Sequence, residues 1–548
     1  MASISNAELP VRPEVWPIGW YDCSRPTAIQ YAQLLPPAMG RTPTLTYDRG
    51  TLILHPPPRG KRWVDFAHWD DRIEKFRIPA QHYRTLVETL RAEAVAFADQ
   101  AHTFQALNLD PQTVMPPYLH QQEALHAWVS HRWQGVVVLP TASGKTYLAQ
   151  LAMQATPRST LITVPTLDLM HQWYAHLTAA FPNVPVGLLG GGSKDRTPIL
   201  VATYDSAAIH AESLGNQYAL LICDECHHLP SDFNRVIAEY SIAPYRLGLT
   251  ATPDRADGRH DDLRHLLGPI VYHKSAADLS GQALAPFQIV PIKVQLSDQE
   301  RQRYEQLIAQ RNRFLQEANI WLSSAQGWQR FVRASAQSQA GRRAMLAHRD
   351  AKLIALGTPG KLRVLEDLLA QHWGDRILIF TNDNATVYQI SQTFLIPAIT
   401  HQTPVKERHT ILQNFRSGDY PTLVVSHVLN EGVDVPEARV AILLSGSGST
   451  REYIQRLGRV LRKGSGHKQA ILYEVVAEQT TEEAISSRRR RGTEPAPVRQ
   501  LELVPMQPAP VKPVPVKPAY DLPPVSVPRA AEADGKFPSS PAPESPNA

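Results

Sequence analysis

Three cysteines in 548 residues are too few for a disulfide framework, and their scarcity fits a reducing compartment. Long apolar runs are missing as well. None approaches the ~18 residues that a membrane span requires, so no membrane partner is expected. The first sixteen residues, MASISNAELPVRPEVW, show neither a basic start nor an apolar stretch. That predicts no secretory leader and a cytoplasmic protein, nucleoid-associated if the source is prokaryotic. A strong charge imbalance is also absent: a net charge of +5 and a pI near 8.9 only mildly favour a polyanionic partner. What is present is an ordinary globular composition, 43% hydrophobic and 20% charged, on a chain too long for one core. Three or four domains are expected.

Two of the three cysteines fall in ICDECHH, residues 222–228. A structural zinc site needs four N or S ligands, usually as two separated pairs, and only Cys23 remains elsewhere. A redox pair would sit at a helix N-terminus, whereas YALLIC reads as a buried strand running into the motif. Cys223 and Cys226 are therefore expected to be packing residues.

Upstream, VVVLPTASGKTYLAQ (136–150) reads as strand, loop and helix. Such a loop aims backbone N–H groups and a helix N-terminus at phosphate, with Thr141, Ser143 and Gly144 in the cradle. Lys145 would reach the β- and γ-phosphates of ATP and Thr146 would ligate Mg²⁺. The loop departs from GxxxxGK[ST]: Leu139 holds the first glycine's place, and Ala142 stands where many helicases have glycine. ICDECHH then supplies the second half of an ATPase, Asp224 for the metal and Glu225 for the attacking water. His227 is placed to bond toward the γ-phosphate. RLGLTATP follows, and much farther on come RILIFTNDN, LVVSHVLNEGVDVPEA and YIQRLGRVLRKG. In the last, Arg459 and Arg462 share one helical face and suit phosphoryl-charge stabilisation.

This ordered set resembles superfamily 2 helicases and translocases over roughly residues 115–475. The resemblance implies an α/β fold of two RecA-like P-loop domains that close on ATP. Residue by residue, Lys145 and Thr146 match motif I, and Asp224, Glu225 and His227 match motif II. Thr250 and Thr252 match the coupling motif III. Glu431, Gly432 and Asp434 match motif V, with Gln455, Gly458, Arg459 and Arg462 in motif VI. PYLHQQEALHAW resembles the adenine-side motif, with Gln121 in register and Tyr118 in the place of its arginine. The stretch after motif III, ATPDRADGRHDDLRHLLGPIVYHKSAADL, is similar to the XPB/Rad25 branch. There an Arg-Glu-Asp element is implicated in strand separation; here it reads Arg255-Ala256-Asp257, with Arg255 and Asp257 as DNA-contact candidates.

Near the N-terminus, PTLTYDRGTLIL alternates like a β-hairpin with Asp48-Arg49-Gly50 in the turn. With Trp69, Arg72, Arg77, Pro79, Ala80 and Tyr83 it resembles the damage-recognition-like module of microbial XPB-like proteins. The alternative is an α+β packing domain. Residues 300–355 carry ten Lys/Arg against four acids and read as two or three helices. Tyr304, Phe314, Trp321, Trp328 and Phe331 are interleaved there, mostly as helix core. Arg330 and Arg333 are candidate DNA contacts on this thumb-like insertion. From Glu494 the chain has fifteen prolines in 55 residues and is expected to be disordered. The run Arg488–Arg491 at its head is either a DNA contact or a solvated helix end, and LELVPMQ is a candidate docking peptide.

The expected organisation is an N-terminal module over 1–110, a first motor domain over 111–290 and a basic helical insertion over 291–356. A second motor domain follows over 357–480 and a Pro-rich tail over 481–548. The expected function is an ATP- and Mg²⁺-dependent, 3′-to-5′ DNA helicase or translocase in repair or DNA processing, acting on single strands or duplex junctions. A duplex translocase without strand separation, a restriction or antiviral motor, and a DNA scaffold with a degenerate motor are the alternatives. Cutting would require a nuclease partner, and oligomeric state is not legible.

Overall fold

The structure, a computed structural model, describes residues 42–58, 67–111, 115–253, 258–279, 287–322, 326–426, 438–444, 470–483 and 485–486. Three sheets organise them. The first is built from β1 (Thr44–Asp48), β2 (Thr51–His55), β3 (His68–Asp70), β4 (Lys75–Pro79) and β5 (Ala98–Asp99), in the order β3-β4-β2-β1-β5. Alternation along β1, β2 and β4 buries Leu45, Leu52, Leu54, Phe76 and Ile78, while α1 (Tyr83–Ala92) buries Leu86, Val87 and Leu90. The hairpin forms where expected. Arg49 (φ 45°) and Gly50 (φ 85°) are both left-handed, as a two-residue turn between twisted strands demands. Gly50 also has no room for a side chain, since a Cβ would come within 2.5 Å of the Tyr240 ring.

That contact belongs to a dock on the second sheet's domain. The Tyr47 hydroxyl lies 3.0 Å from the carbonyls of both Glu212 and Tyr240. The Arg84 guanidinium donates to the carbonyls of Arg132 and Pro244, and Glu88 pairs with both Arg84 and Arg132.

The second sheet holds eight strands: β6 (Gln134–Val138), β7 (Thr160–Val164), β8 (Val186–Gly190), β9 (Ser193–Lys194), β10 (Ile199–Thr203), β11 (Leu220–Asp224), β12 (Tyr245–Thr250) and β13 (Ile270–His273). Their order is β13-β6-β12-β11-β7-β10-β8-β9. Strands β6, β12, β11, β7 and β10 run parallel. The central strands β7, β11 and β12 are buried throughout, as a parallel sheet covered on both faces requires. Helices α2 (Leu119–Ser130), α3 (Lys145–Ala155) and α4 (Leu167–Ala180) belong to this first lobe.

The third sheet, wholly parallel, has the order β14-β19-β18-β15-β17-β16. Its strands are β14 (Phe287–Val294), β15 (Ile377–Phe380), β16 (Ala398–Ile399), β17 (Thr422–Val425), β18 (Val440–Leu443) and β19 (Ala470–Ala477). The expected boundary at 290/291 therefore falls inside β14, which pairs along its whole length with β19 and belongs to the second lobe. A partner some 180 residues away leaves no local signal at Phe287.

Between β14 and β15 stand three helices, α5 (Asp298–Glu317), α6 (Gly327–Gln337) and α7 (Gln339–Gly357). Ser297 opens α5 with a reciprocal capping box: its hydroxyl accepts Glu300 N–H, and the Glu300 carboxylate accepts Ser297 N–H. Leu315, Ile320, Phe331 and Ala344 make a small core among these helices. Thr358 and Pro359 then start α8 (Pro359–Gln371), whose Lys361 is buried and donates to Leu444 O and Glu482, each at 2.7 Å. On α9 (Val405–Ser417), Arg408 donates to Asp168 of α4 at 3.3 Å, so the two lobes touch beyond the carboxyl ends of β7 and β16. No helix among the described residues is long and apolar enough to cross a membrane.

Candidate active site

Strands β6, β12, β11 and β7 are consecutive in the second sheet. The loops after their carboxyl ends therefore lie side by side, the usual place for a ligand in an open parallel sheet. The loop after β6 leads into Lys145 at the start of α3, β12 ends in Thr250 and its loop carries Thr252, the loop after β11 carries Glu225, and that after β7 leads into α4. Residues about 80 and 105 positions apart in sequence converge by topology alone.

The phosphate-type loop is held from beneath. Gly144 (φ 81°) needs the left-handed region, and a side chain there would collide with the Gln121 amide. Ala142 adopts φ 65° despite its Cβ. The Gln121 amide nitrogen donates to the carbonyls of Ser143 and Gly144, and its oxygen accepts Tyr118 N–H. His120 bonds the Ser143 carbonyl at 2.8 Å, and Ser143 Oγ donates to Pro140 O. Among the described residues no side chain caps the N-terminus of α3, so its first amides are placed to face an anion. Thr141 and Thr146 are half-buried beside it. Lys145 Nζ donates to Leu139 O at 3.2 Å and lies 3.9 Å from Glu225 Oε1.

Strand β11 delivers Asp224 and Glu225 into the same space. Asp224 Oδ1 accepts Glu225 N–H at 3.0 Å, and Oδ2 accepts the Trp173 indole N–H at 2.9 Å. Burial, then the adjacent Glu225 carboxylate, push the Asp224 carboxyl up to about 6, against the pull of Lys145 and Trp173. Glu225 sits at φ 47°, a left-handed kink that turns its side chain away from the strand direction. Its Oε2 is 3.4 Å from Thr250 Oγ1 and 3.5 Å from His227 Nδ1, and His227 Nδ1 is 3.1 Å from Thr250 Oγ1. Thr250 Oγ1 also accepts Thr252 N–H. Lys145, Glu225, His227, Thr250 and Thr252 thus form one connected cluster.

Among the described residues, two buried carboxylates face a single ammonium, and the donors are hard oxygens. Such a donor set could hold a divalent cation such as Mg²⁺, with Asp224 and Thr146 the residues that would supply the oxygens. The cluster can bind a phosphate chain, neutralise it and hold a water beside a carboxylate.

The cysteines take no part. Cys223 and Cys226 are fully buried in the hydrophobic core of the first lobe, packed with Val136, Leu221 and Leu267. Burial pushes the Cys223 thiol up to about 12 and Cys226 well above its ordinary value, so both stay protonated and inert.

Three contributors escape sequence motifs: His120, Trp173 and Tyr204, whose hydroxyl donates to the Asp224 carbonyl at 2.9 Å. A buried indole needs an acceptor, so the apolar stripe of α4 with a tryptophan in it was the available signal for Trp173.

The second half of the expected site, Glu431, Gly432, Asp434, Gln455, Gly458, Arg459 and Arg462, lies outside the described residues. So do Arg255, Asp257, Cys23, Arg488–Arg491 and, of the expected Pro-rich tail, residue 484 and residues 487–548. The expected start of that tail at 481 is corrected: Glu482 and Ser486 are buried, and Glu482 pairs with Lys361 and accepts Ala477 N–H, which ties this turn to the second lobe. In the insertion, Arg330 and Arg333 are exposed one turn apart on α6. Tyr304 and Phe331 are core, whereas Trp321 and Trp328 are 73% and 46% exposed. Trp328 rests its ring on Phe331 and His348.

Comparison with known proteins adds three family matches in order along the chain. Residues 45–101 match the Xeroderma pigmentosum group B helicase damage recognition domain, and residues 114–255 match the type III restriction enzyme res subunit. Residues 338–492 match the ERCC3/RAD25/XPB C-terminal helicase. A Sulfurisphaera tokodaii protein described as DNA 3′-5′ translocase XPB2 is 42% identical over 371 residues, 68% of this chain and 84% of that one. A Kineococcus radiotolerans protein described as DNA 3′-5′ helicase XPB is 33% identical, over 68% of this chain and 62% of that one. The helicase domain of Pyrococcus furiosus Hef shares the fold, with a TM-score of 0.50 at 19% identity, over 68% of this chain and 98% of that one.

Proposed function

The chain belongs to the XPB/Rad25 family, and on that premise we propose that it is an ATP-dependent DNA helicase or translocase moving 3′-to-5′. The observation that carries the reading is the cluster of Lys145, Glu225, His227 and Thr250 beside Asp224. In it, Lys145 and the loop amides take the β- and γ-phosphates. Asp224 and Thr146 hold Mg²⁺, which when bound supplies charge neutralisation on the phosphate oxygens. Glu225 orients the attacking water and receives its proton. Thr250 and His227 fix the Glu225 carboxylate, and Thr252 passes any shift at that carboxylate into the loop that follows. Asp434, Gln455, Arg459 and Arg462 complete the site from the second lobe; motif position alone supports that assignment. Exposed Arg330 and Arg333 and the half-open Trp328 suit contact with DNA phosphates and bases. A place in DNA repair, a cytoplasmic location and a partner nuclease for any cutting belong to the same proposal.

The test is steady-state ATP hydrolysis with and without single- and double-stranded DNA. Stimulation by DNA and its loss in Lys145→Ala are expected; hydrolysis indifferent to nucleic acid would sink the proposal.

Two observations favour a second reading, a duplex translocase that does not part strands. Ala256 stands where the related strand-separation element has glutamate, and the relative at 42% identity is described as a translocase. Robust unwinding of a tailed duplex would dispose of it.

A further inference from the structure

Trp173 is 1% exposed and lies on α4, 51 residues before the carboxylate that it contacts. Its Nε1–H donates to Asp224 Oδ2 at 2.9 Å, and the Glu225 amide donates to Oδ1 at 3.0 Å. The Tyr204 hydroxyl pins the carbonyl of the same residue. Each oxygen of Asp224 thus has one donor from the protein and lone-pair capacity left over. A buried indole N–H satisfied merely for its own sake needs only a backbone carbonyl, the commonest acceptor in a core. Here it is spent on the carboxylate assigned to the cation, in the arrangement by which donors outside a metal's ligand set orient the ligands.

We infer that Trp173 is a positioning residue for the nucleotide-bound cation: its N–H fixes the Asp224 carboxylate in the orientation that accepts Mg²⁺. The inference rests on the reading of Asp224 as the cation's ligand. It sets apart one tryptophan of ten, on a helix that carries no catalytic motif. The consequence is specific. Removing the N–H while keeping the ring leaves metal-free nucleotide binding alone and weakens only the part of affinity that Mg²⁺ adds.

The experiment is equilibrium titration of the full chain with a fluorescent ADP analogue, in excess Mg²⁺ and in EDTA, for wild type, Trp173→Phe and Asp224→Asn. The Mg²⁺-dependent gain in affinity should fall about tenfold or more in Trp173→Phe, the usual effect of losing such a supporting donor. EDTA affinity should stay unchanged. A gain intact in Trp173→Phe but lost in Asp224→Asn overturns the role of Trp173. A gain intact in both overturns the assignment of Asp224 as well. If Trp173→Phe fails to fold, β-(3-benzothienyl)alanine at position 173 replaces N–H by sulfur at nearly constant shape, and the same outcomes decide.

Discussion

Asp224 holds its charge in a place that disfavours it. Burial and Glu225 raise its carboxyl from 3.8 to about 6, so the folded protein binds that proton more tightly than the unfolded chain does. Stability is therefore lost as pH rises from about 4 to about 6, and the whole loss is present at neutrality. In EDTA without nucleotide, the stability of Asp224→Asn relative to wild type should rise by about 1–3 kcal/mol from pH 4 to pH 7 in urea unfolding, because the amide has no charge to desolvate. The absolute level of the variant is set by the acceptor that the amide nitrogen cannot replace; a difference that does not change with pH contradicts this. Glu225 differs in kind: Glu225→Gln should cost about 10²–10⁴ in turnover while nucleotide binding persists. Cys226→Ala should cost about 1 kcal/mol of packing and leave hydrolysis largely intact. A zinc-dependent activity lost with that cysteine would reverse the assignment. Lys145, Asp224 and Glu225 were legible because each is defined by a few adjacent residues. Trp173 and His120 were not, since their partners lie 51 and 23 residues away and no local pattern names them.

Among the elements, the same distinction between local and distant information holds. The hairpin of β1 and β2 and the strand–loop–helix around Lys145 were readable from alternation, turn residues and glycine. Strand β14 was not, because only pairing with β19 makes it the second lobe's first strand. The helical insertion was readable as basic helices, but which aromatics face solvent depends on how α5, α6 and α7 pack. Phe331 went inside and Trp328 stayed half out. Arg330 and Arg333 are exposed on α6 and have no ion-pair partner among the described residues. If both meet phosphates, the double Ala variant should lower the slope of log K against log salt by about 1.5–2 in DNA binding titrations. An unchanged slope would remove α6 from the DNA interface. The N-terminal sheet, docked through Tyr47, Gly50 and Arg84, is attached to the first lobe rather than hung from a linker.

For the whole molecule, a mostly parallel sheet with its candidate site beyond the carboxyl ends of its strands, and a second, wholly parallel sheet, form a motor only if the nucleotide cycle moves DNA. Asp168 and Arg408 mark where the lobes touch. The most direct measurement is displacement of a third strand from a triplex placed on duplex DNA, with hydrolysis followed in the same reaction. ATP-dependent displacement by wild type and none by Glu225→Gln are expected of such a motor. Vigorous DNA-stimulated hydrolysis with the third strand left in place would contradict that expectation.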